Sequence, residues 1–407
     1  METGQLKIII VGHVDHGKST LIGRLLYDTD SLPVEKKEEI RKTSEVLKKK
    51  MEFAFVMDAL EEERKGGLTI DTTQIFFHTS KRRYVIIDAP GHKEFLKNML
   101  TGTSQAEAGI LVVDVVEGVR EQTKRHAYLL SMLGIKQICV LINKMDLVGY
   151  SKDKFEEVKR DILEFLSYLR ITPSFILPVS ALEGENLASS KRLSWFKGPT
   201  LLEALDNFQE LILEEKPLRF PVQDIYNLHG KEIAVGRVES GEIAIKDKVT
   251  IFPSLKEATV KEIHKFMVEN PQKATYGESI GISLEGGEKL KRGDVLVKDK
   301  SPLLTSRITA HLFWFEEPGG EKGEFFTFRC VTQEIPCVIE KILHKFDPAS
   351  LERVEENASR INRAEVAQIS LSLSSPAVID SFSEIPELGR FILEKEGTPV
   401  AGGIISS

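Results

Sequence analysis

The chain has 407 residues, of which 41% are hydrophobic and 29% are charged, and its formal net charge is −7. This length exceeds what a single hydrophobic core supports, so we expect two or three domains of an ordinary globular protein. No apolar run approaches the length of a membrane span, and the three cysteines show no metal-ligand spacing. These features argue against a membrane partner and a cysteine-based metal site, and we expect a cytoplasmic location.

The negative charge is concentrated in the second half of the chain. Residues 214–407 contain 25 Lys+Arg and 31 Asp+Glu, a net charge of −6. Proteins that bind nucleic acids usually present a basic face. The acidic half therefore disfavours a large RNA-binding surface, although it does not exclude a local basic patch.

Short apolar runs alternate with helical patterns in the first half of the chain. This alternation predicts βαβ units, and hence a mainly parallel sheet with helices on both faces. A run of mixed charges over residues 35–50 predicts a solvated helix. The predicted strands are Leu6–Val11, Tyr84–Asp88, Gly109–Asp114, Gln137–Asn143 and Ser174–Val179, and the predicted helices include Lys93–Leu100, Glu121–Leu133 and Lys152–Leu169.

The second half of the chain shows alternating strands separated by Gly and Asp turns, which predicts two small all-β barrels. We therefore expect an α/β domain over residues 1–214, a β-barrel domain II over residues 215–300 and a β-barrel domain III over residues 301–407.

A complete phosphate-binding loop follows the first predicted strand. Backbone N–H groups between its two glycines form an anion nest at the start of a helix. Lys18 is expected to reach the β- and γ-phosphates, and the Ser19 hydroxyl to bind Mg²⁺. Asp15 is expected to contact either a further cation or a nearby backbone group. The nucleotide-binding residues predicted in this loop are Gly12, His13, Val14, Asp15, His16, Gly17, Lys18, Ser19 and Thr20.

Two further elements predict a switch that depends on the bound nucleotide. Asp88 ends a predicted strand, where it can hold Mg²⁺ through a water, and Gly91 can offer its N–H to a γ-phosphate. Thr69 follows the flexible pair Gly66-Gly67 and is the predicted second protein ligand of the ion. The predicted Mg²⁺ ligands are therefore Ser19, Thr69 and Asp88.

The sequence Asn143-Lys144-Met145-Asp146 ends another predicted strand and indicates the choice of base. The Asp146 carboxylate can accept two hydrogen bonds from the N1–H and the exocyclic amine of guanine, whereas adenine would leave the desolvated carboxylate unpaired. Asn143 is expected to contact the base edge, and the stem of Lys144 to lie along the ring and sugar. The loop after the next strand, which can offer a backbone N–H to the guanine O6, contains Ser180, Ala181 and Leu182.

His92 is the predicted catalytic residue. Phosphoryl transfer depends on positioning and on charge stabilisation, and a histidine directly after Asp88–Gly91 is placed to orient the attacking water. Val14 and Leu68 could form an apolar gate in front of it. The alternative role for His92 is a turn histidine that caps the next helix.

With these motifs in order, the chain resembles the translation-factor class of GTPases over essentially its full length. The resemblance implies an α/β P-loop GTPase domain followed by two all-β barrel domains, with GTP/GDP and Mg²⁺ as cofactors. The matching segments are Gly12–Thr20, Thr69–Asp71, Asp88–His92, Asn143–Asp146, Arg237–Gly241, Gly389–Phe391 and Val400–Ile404.

Within the class, several stretches look like the large GTPase subunit of bacterial sulfate adenylyltransferase. That resemblance implies that GTP hydrolysis drives adenylyl sulfate formation from ATP and sulfate on a small catalytic subunit, which would be the partner of this chain. The stretches are Met57–Arg64, Gln122–His126, Ser180–Ser189, Trp195–Leu202 and Leu218–Gln223.

Other features resemble elongation factors instead. The phosphate loop contains Val-Asp-His-Gly, the later motif is Asp-Ala-Pro-Gly-His, and Lys93–Gln105 is similar to the archaeal and eukaryotic factor. The alternative hypothesis is therefore a translational GTPase that binds aminoacyl-tRNA or the ribosome. The acidic barrels favour the sulfate-activating subunit as the main interpretation.

Replacement of the predicted catalytic histidine tests its role. We expect His92→Ala to keep GTP affinity but to slow hydrolysis by orders of magnitude, because the water loses its positioning group. Single-turnover hydrolysis beside equilibrium GTP binding makes the measurement. A rate that survives the substitution would show that the catalytic assignment of His92 is wrong.

Overall fold

The computed structural model describes residues 5–32, 38, 74–87, 106–208, 216–228, 231–286, 289–347 and 352–406. The chain divides into two compact units, and the second contains residues 212–407. Of the described helices, none is both long enough and apolar enough to cross a bilayer. The segments predicted as helices at 35–50 and 93–100 lie outside the described residues, apart from Glu38.

The first unit is built on a six-stranded sheet. Its strands are β1 (Gln5–Gly12), β2 (Gln74–His78), β3 (Arg83–Ile87), β4 (Ala108–Asp114), β5 (Gln137–Asn143) and β6 (Phe175–Pro178). The described helices are α1 (Lys18–Asp28), α2 (Glu121–Met132), α3 (Lys152–Tyr168) and α4 (Leu201–Asp206), with a 3₁₀ turn at Met145–Val148. The strand order is β2-β3-β1-β4-β5-β6, parallel except for the antiparallel edge strand β2. The carboxyl ends of β1, β4, β5 and β6 therefore meet at one edge of the sheet.

Helices cover both faces of this sheet because successive side chains of β1 point to opposite sides. Ile10 packs in one core with Leu25 of α1. Gly109, the register partner of Ile9, belongs to the other face, where a Cβ would lie 3.2 Å from Leu130 of α2. The predicted parallel sheet with helices on both faces is confirmed.

The second unit begins with a closed barrel in the order β10-β11-β13-β8-β7-β14. Its strands are β7 (Leu218–Leu228), β8 (Lys231–Arg237), β10 (Lys248–Phe252), β11 (Lys256–His264), β13 (Ser279–Glu285) and β14 (Val295–Lys298), with β9 (Glu242–Ala244) and β12 (Lys273–Thr275) forming a separate pair. Closure pairs every strand of the barrel with two neighbours and leaves no open edge. The predicted first barrel is confirmed.

A second β-domain follows in the same unit. Its strands are β15 (Leu303–Trp314), β16 (Gly320–Glu321), β17 (Phe325–Cys330), β18 (Gln333–Phe346), β19 (Arg353–Glu356), β20 (Arg360–Ile361), β21 (Val366–Ile379), β22 (Arg390–Lys395) and β23 (Thr398–Ile405), with the short helix α5 (Pro386–Gly389). The main sheet has the order β17-β22-β23-β15-β21-β18-β19, and β17 also pairs with β18, which closes the sheet on itself. The second predicted barrel is confirmed, while the domain boundaries at residues 214 and 300 stay predictions.

A buried ion pair joins the two β-domains. The Arg219 side chain is fully buried, and its Nε and Nη2 donate to the two carboxylate oxygens of Asp380 at 2.7 and 2.9 Å. Its Nη1 donates to the carbonyl of Leu218 at 2.9 Å. The surrounding apolar cluster draws on both domains and consists of Phe252, Val295, Val297, Val378, Ile385 and Leu388. A buried charge pair of this geometry ties the two domains together because neither charge can be solvated once its partner is lost.

Removal of one partner of this pair tests its role. Arg219→Ala leaves Asp380 as an unpaired buried carboxylate, so we expect the free energy of unfolding of the second unit to fall by about 3–5 kcal/mol. The double replacement Arg219→Met/Asp380→Leu is expected to lose much less, because no buried charge remains.

Urea titration makes the measurement. The chain has two tryptophans, and Trp314 is buried in the second unit, so its fluorescence in a Trp195→Phe background follows that unit alone. Arg307→Ala is the matched control, since Arg307 is mostly exposed at 3.9 Å from Glu340 and such pairs contribute about 1 kcal/mol or less. A loss no greater than that of the control would contradict the account.

Candidate nucleotide site

The phosphate loop joins the end of β1 to the start of α1. Gly17 caps the helix with a left-handed φ of 92°, and Asp15 has a φ of 66°. A Cβ at position 17 would lie 2.5 Å from the side-chain nitrogen of Asn143. Only glycine therefore satisfies both the backbone conformation and the packing at this position.

The start of α1 suits an anion. No side chain caps its N-terminus, and its first turn contains no acidic residue. The unpaired N–H groups of a helix start attract negative charge. Lys18 donates from Nζ to the carbonyls of Gly12 and His13 at 2.7 and 2.8 Å, which sets the ammonium against the loop. Ser19 is exposed at the same end of the helix.

The side chains of His13 and His16 support the loop, and their rings contact each other edge to face at 5.1 Å. The His16 ring is fully buried, and its Nδ1 donates to the carbonyl of Val112 at 3.2 Å. Burial lowers the pKa of His16, which favours the neutral ring. His13 is hydrogen-bonded to Gln122. These two side chains brace the loop, and Val14 and Asp15 are the exposed residues at its tip.

Asn143, at the end of β5, connects the phosphate loop to the loop after β6. Its Nδ2 donates to the carbonyl of His16 at 2.9 Å, and its Oδ1 accepts the N–H of Ala181 at 2.9 Å. The side chain is buried, with 2% exposure. One amide group therefore sets the spacing between the predicted phosphate-binding and base-binding loops.

Asp146 lies beside the same loop. The Ser180 hydroxyl donates to Asp146 Oδ1 at 2.5 Å, which fixes the plane of the carboxylate. Leu182, the third predicted residue of this loop, is 37% exposed.

Lys144 is held by a residue that the sequence analysis missed. Its backbone is left-handed, and its Nζ lies 2.7 Å from Asp114 Oδ2. Burial alone disfavours the charge on Asp114, but hydrogen bonds from Lys144 and from the N–H of Val116 outweigh it and keep the pKa of Asp114 below its usual value. Asp114 ends β4 as the register partner of Asn143, and that position is the signal that could have identified it.

The remaining predicted site residues lie outside the described part of the chain. These are Thr69, Asp88, Gly91 and His92, together with Gly66, Gly67 and Leu68. Within the described residues, no group of three or more His, Cys, Asp or Glu side chains could hold a metal ion. Of the three predicted Mg²⁺ ligands, the structure therefore places Ser19.

Two family models match the chain. The model described as the elongation factor Tu GTP binding domain matches residues 4–210, and the GTP-eEF1A C-terminal domain-like model matches residues 307–406. The elongation factor 1-alpha of Methanosphaerula palustris is 40% identical over 98% of this chain and 96% of its own length. The factor of the same name from Pyrococcus furiosus is 41% identical over 99% of this chain and 97% of its own length.

The chain belongs to the translation-factor class of GTPases, in the family of elongation factors Tu and 1-alpha. This translation-factor GTPase has the predicted α/β GTPase domain followed by two β-barrels. Its predicted use of GTP/GDP and Mg²⁺, and its activity as a GTPase, are confirmed by the family. A solved structure of Sup35 complexed with GDP aligns with 25% identity over 100% of this chain and 94% of its own, with a TM-score of 0.47.

The predicted GTPase subunit of sulfate adenylyltransferase, with a small catalytic subunit as partner, is wrong. Relatives that match almost the whole of this translation-factor GTPase at 40–41% identity are elongation factors 1-alpha. The Ser180–Ser189 stretch that favoured sulfate activation has a role inside the GTPase domain. Glu185 within it accepts hydrogen bonds from the N–H groups of Lys191 and Arg192 at 2.6 and 2.9 Å. The stretch shapes a loop of this domain and does not identify a partner.

Exchange of one atom at Asp146 tests the predicted choice of base. Asp146→Asn presents an amide N–H where guanine also donates, so we expect GTP affinity to fall and xanthosine triphosphate to become the preferred ligand. Competition of both nucleotides against a fluorescent GDP makes the measurement. Asp161→Asn, at an exposed position of α3, removes the same charge and should leave the preference unchanged. Undiminished GTP preference in Asp146→Asn would contradict the assigned role.

Proposed function

We propose that this chain is a translational GTPase of the elongation factor 1-alpha type, which carries aminoacyl-tRNA to the ribosome in its GTP state. The observation that carries the proposal is 40–41% identity to elongation factors 1-alpha over 98–99% of this chain and 96–97% of theirs. The similarity extends over both β-domains as well as the GTPase domain. We propose a cytoplasmic location, because the ribosome is the proposed site of action.

We infer that the loop from Gly12 to Thr20 holds the phosphates. Its N–H groups and the uncapped start of α1 supply the anion site, and Lys18 adds a positive charge that its two carbonyl contacts already orient. A bound Mg²⁺ supplies further charge neutralisation at the phosphates, and the exposed Ser19 is the described residue that would hold it. The residues outside the described part of the chain keep their predicted roles. These roles are binding of Mg²⁺ by Thr69 and Asp88, contact with the γ-phosphate by Gly91, and positioning of the attacking water by His92.

We infer that Asp146 and the loop from Ser180 to Leu182 read the base. The Ser180 hydroxyl holds one oxygen of Asp146, so the carboxylate has a fixed direction before a ligand arrives. The N–H groups of Ser180 and Ala181 are taken by the carbonyl of Glu185 and by Asn143, so the N–H of Leu182 is the one that we infer to meet the guanine O6. The side chain of Lys144 is held against Asp114, and its stem is placed to cover one face of the base.

The net charge of residues 214–407 does not contradict a tRNA partner. Charges of both signs are distributed over this half and partly pair with each other, as Glu278 does with Lys265 at 2.8 Å and Glu394 with Arg329 at 2.9 Å, so the sum of −6 does not describe any one face. A partner that contacts one face meets the local charge of that face and not the sum.

Protection of the aminoacyl ester tests the proposal. With a non-hydrolysable GTP analogue bound, we expect the chain to slow the spontaneous hydrolysis of the ester bond of aminoacyl-tRNA. We also expect the complex to migrate more slowly than free aminoacyl-tRNA in a native gel. With GDP the affinity is expected to fall by roughly 5- to 150-fold, the usual range of coupling between two ligands. Ester half-lives at increasing protein concentration make the measurement.

Deacylated tRNA is the control ligand, because it offers the same phosphates without the ester. Equal binding of charged and deacylated tRNA, or no complex in either nucleotide state, would overturn the proposal. Selective binding to ribosomes with a stop codon in place of aminoacyl-tRNA would also overturn it, in favour of a release or rescue factor.

A further inference from the structure

Residues 183–195 form a strap across the base-reading side of the GTPase domain. The Glu185 carboxylate closes it by accepting from the Ser190 hydroxyl at 2.8 Å and from two backbone N–H groups. Asn186 anchors it by donating from Nδ2 to the carbonyl of Pro178 at 3.0 Å, at the end of β6. These contacts give the strap a defined shape that neither the fold nor the proposed function by itself requires.

The far end of the strap is bonded to the turn that carries Asp146. The indole Nε1 of Trp195 donates to the backbone carbonyl of Tyr150 at 2.9 Å, and its ring packs 5.4 Å from that of Phe155. The N–H of Tyr150 donates to the carbonyl of Met145 at 2.8 Å, which closes the turn around Asp146. Trp195 therefore fixes this turn through a side-chain hydrogen bond to the backbone of the turn.

Arg192 is the second link between the strap and this turn. Its guanidinium lies over the ring of Tyr150 at 5.4 Å, within the range of cation–π attraction. The same guanidinium donates from Nη1 to Glu183 at 2.6 Å. Glu183 raises the pKa of Arg192, as expected of an opposite charge in contact.

Glu183 completes the path back to Asp146. Its backbone N–H donates to the Ser180 hydroxyl oxygen at 3.2 Å, so the hydroxyl proton is left to point at Asp146 Oδ1, 2.5 Å away. The contacts run from Tyr150 through Arg192, Glu183 and Ser180 to Asp146, and the backbone of the 145–150 turn joins Asp146 to Tyr150. Because each contact restrains the next, the series limits the rotation of the Asp146 carboxylate.

We propose that the 183–195 strap is a positioning element for guanine recognition, in which Arg192 and Glu183 hold the Asp146 carboxylate in the orientation that accepts two hydrogen bonds. The proposal rests on the proposed role of Asp146 as the base-reading residue. Two parallel hydrogen bonds require a fixed carboxylate plane, whereas a single bond tolerates rotation. Arg192 acts as a positioning residue, because it acts on the base through Asp146.

Inosine nucleotides isolate the effect. Inosine lacks the exocyclic amine of guanine and offers Asp146 a single N–H, so the ratio of GDP to IDP affinity reports the second hydrogen bond. We expect Arg192→Ala and Glu183→Gln each to reduce this ratio by roughly two- to tenfold, the range for one net hydrogen bond. IDP affinity itself is expected to change little. Arg192→Lys, which keeps the charge, is expected to restore part of the ratio.

The matched control is Lys154→Ala, which breaks an exposed pair with Glu157, 2.8 Å apart, on α3 of the same domain. It should leave the ratio at the wild-type value. A double-mutant cycle between positions 183 and 192 is expected to be non-additive, because the two side chains act as one unit. Arg192 is 58% exposed, so its replacement leaves the core intact, and thermal unfolding confirms this for each variant.

The outcomes distinguish a failure of the positioning role of the strap from a failure of the base-reading role of Asp146. An unchanged ratio in both Arg192→Ala and Glu183→Gln, or an equal loss of GDP and IDP affinity, would overturn the positioning role. If Asp146→Asn shifts preference to xanthine nucleotides while Arg192→Ala and Glu183→Gln leave the ratio of GDP to IDP affinity unchanged, the positioning role of the strap is wrong and the role of Asp146 is retained. If Asp146→Asn leaves guanine preference intact, both assignments fall together.

Discussion

The side chain of Asn143 is the interaction on which the nucleotide site depends. One buried amide donates to the phosphate loop at the His16 carbonyl and accepts from the base-reading loop at the Ala181 N–H. Parallel strands bring both loops to the same edge of the sheet, and this amide, bonded to each loop, fixes the distance between them. A nucleotide has a fixed length between phosphates and base, so the protein must hold its two recognition loops at one spacing before binding.

Much of this arrangement could be predicted because it is local in sequence. Apolar runs predict the buried strands, and Gln137–Asn143 is confirmed as β5 without a change in its bounds. The phosphate loop and Asn143–Asp146 are short motifs whose chemistry follows from adjacent residues. The ion pair between Arg219 and Asp380 lies beyond such reasoning, since 161 residues separate the partners and neither has a local signature.

Other elements were missed because their local pattern conflicts with their final environment. The strand β18, Gln333–Phe346, contains Pro336, which cannot donate a ladder hydrogen bond, yet it pairs with both β17 and β21. Tertiary pairing overrides local propensity there. Asp114 was missed because its role exists only once β4 and β5 lie in register, where it meets Lys144. The switch residues, including Asp88 and His92, lie outside the described part of the chain and stay predictions.

The error about the partner has a physical cause. The Ser180–Ser189 and Trp195–Leu202 stretches predict a partner by resemblance, but Glu185 and the neighbouring Arg192 show that this region stabilises the base-reading side of the domain itself. A net charge summed over half of the chain also says little about the one face that a tRNA would contact. Single-turnover GTP hydrolysis by this chain on Pyrococcus furiosus ribosomes, with aminoacyl-tRNA matching or not matching the codon, distinguishes an aminoacyl-tRNA carrier from other GTPases. We expect hydrolysis to accelerate by orders of magnitude for the matching codon, and a rate independent of codon and tRNA would show that the chain does not deliver aminoacyl-tRNA.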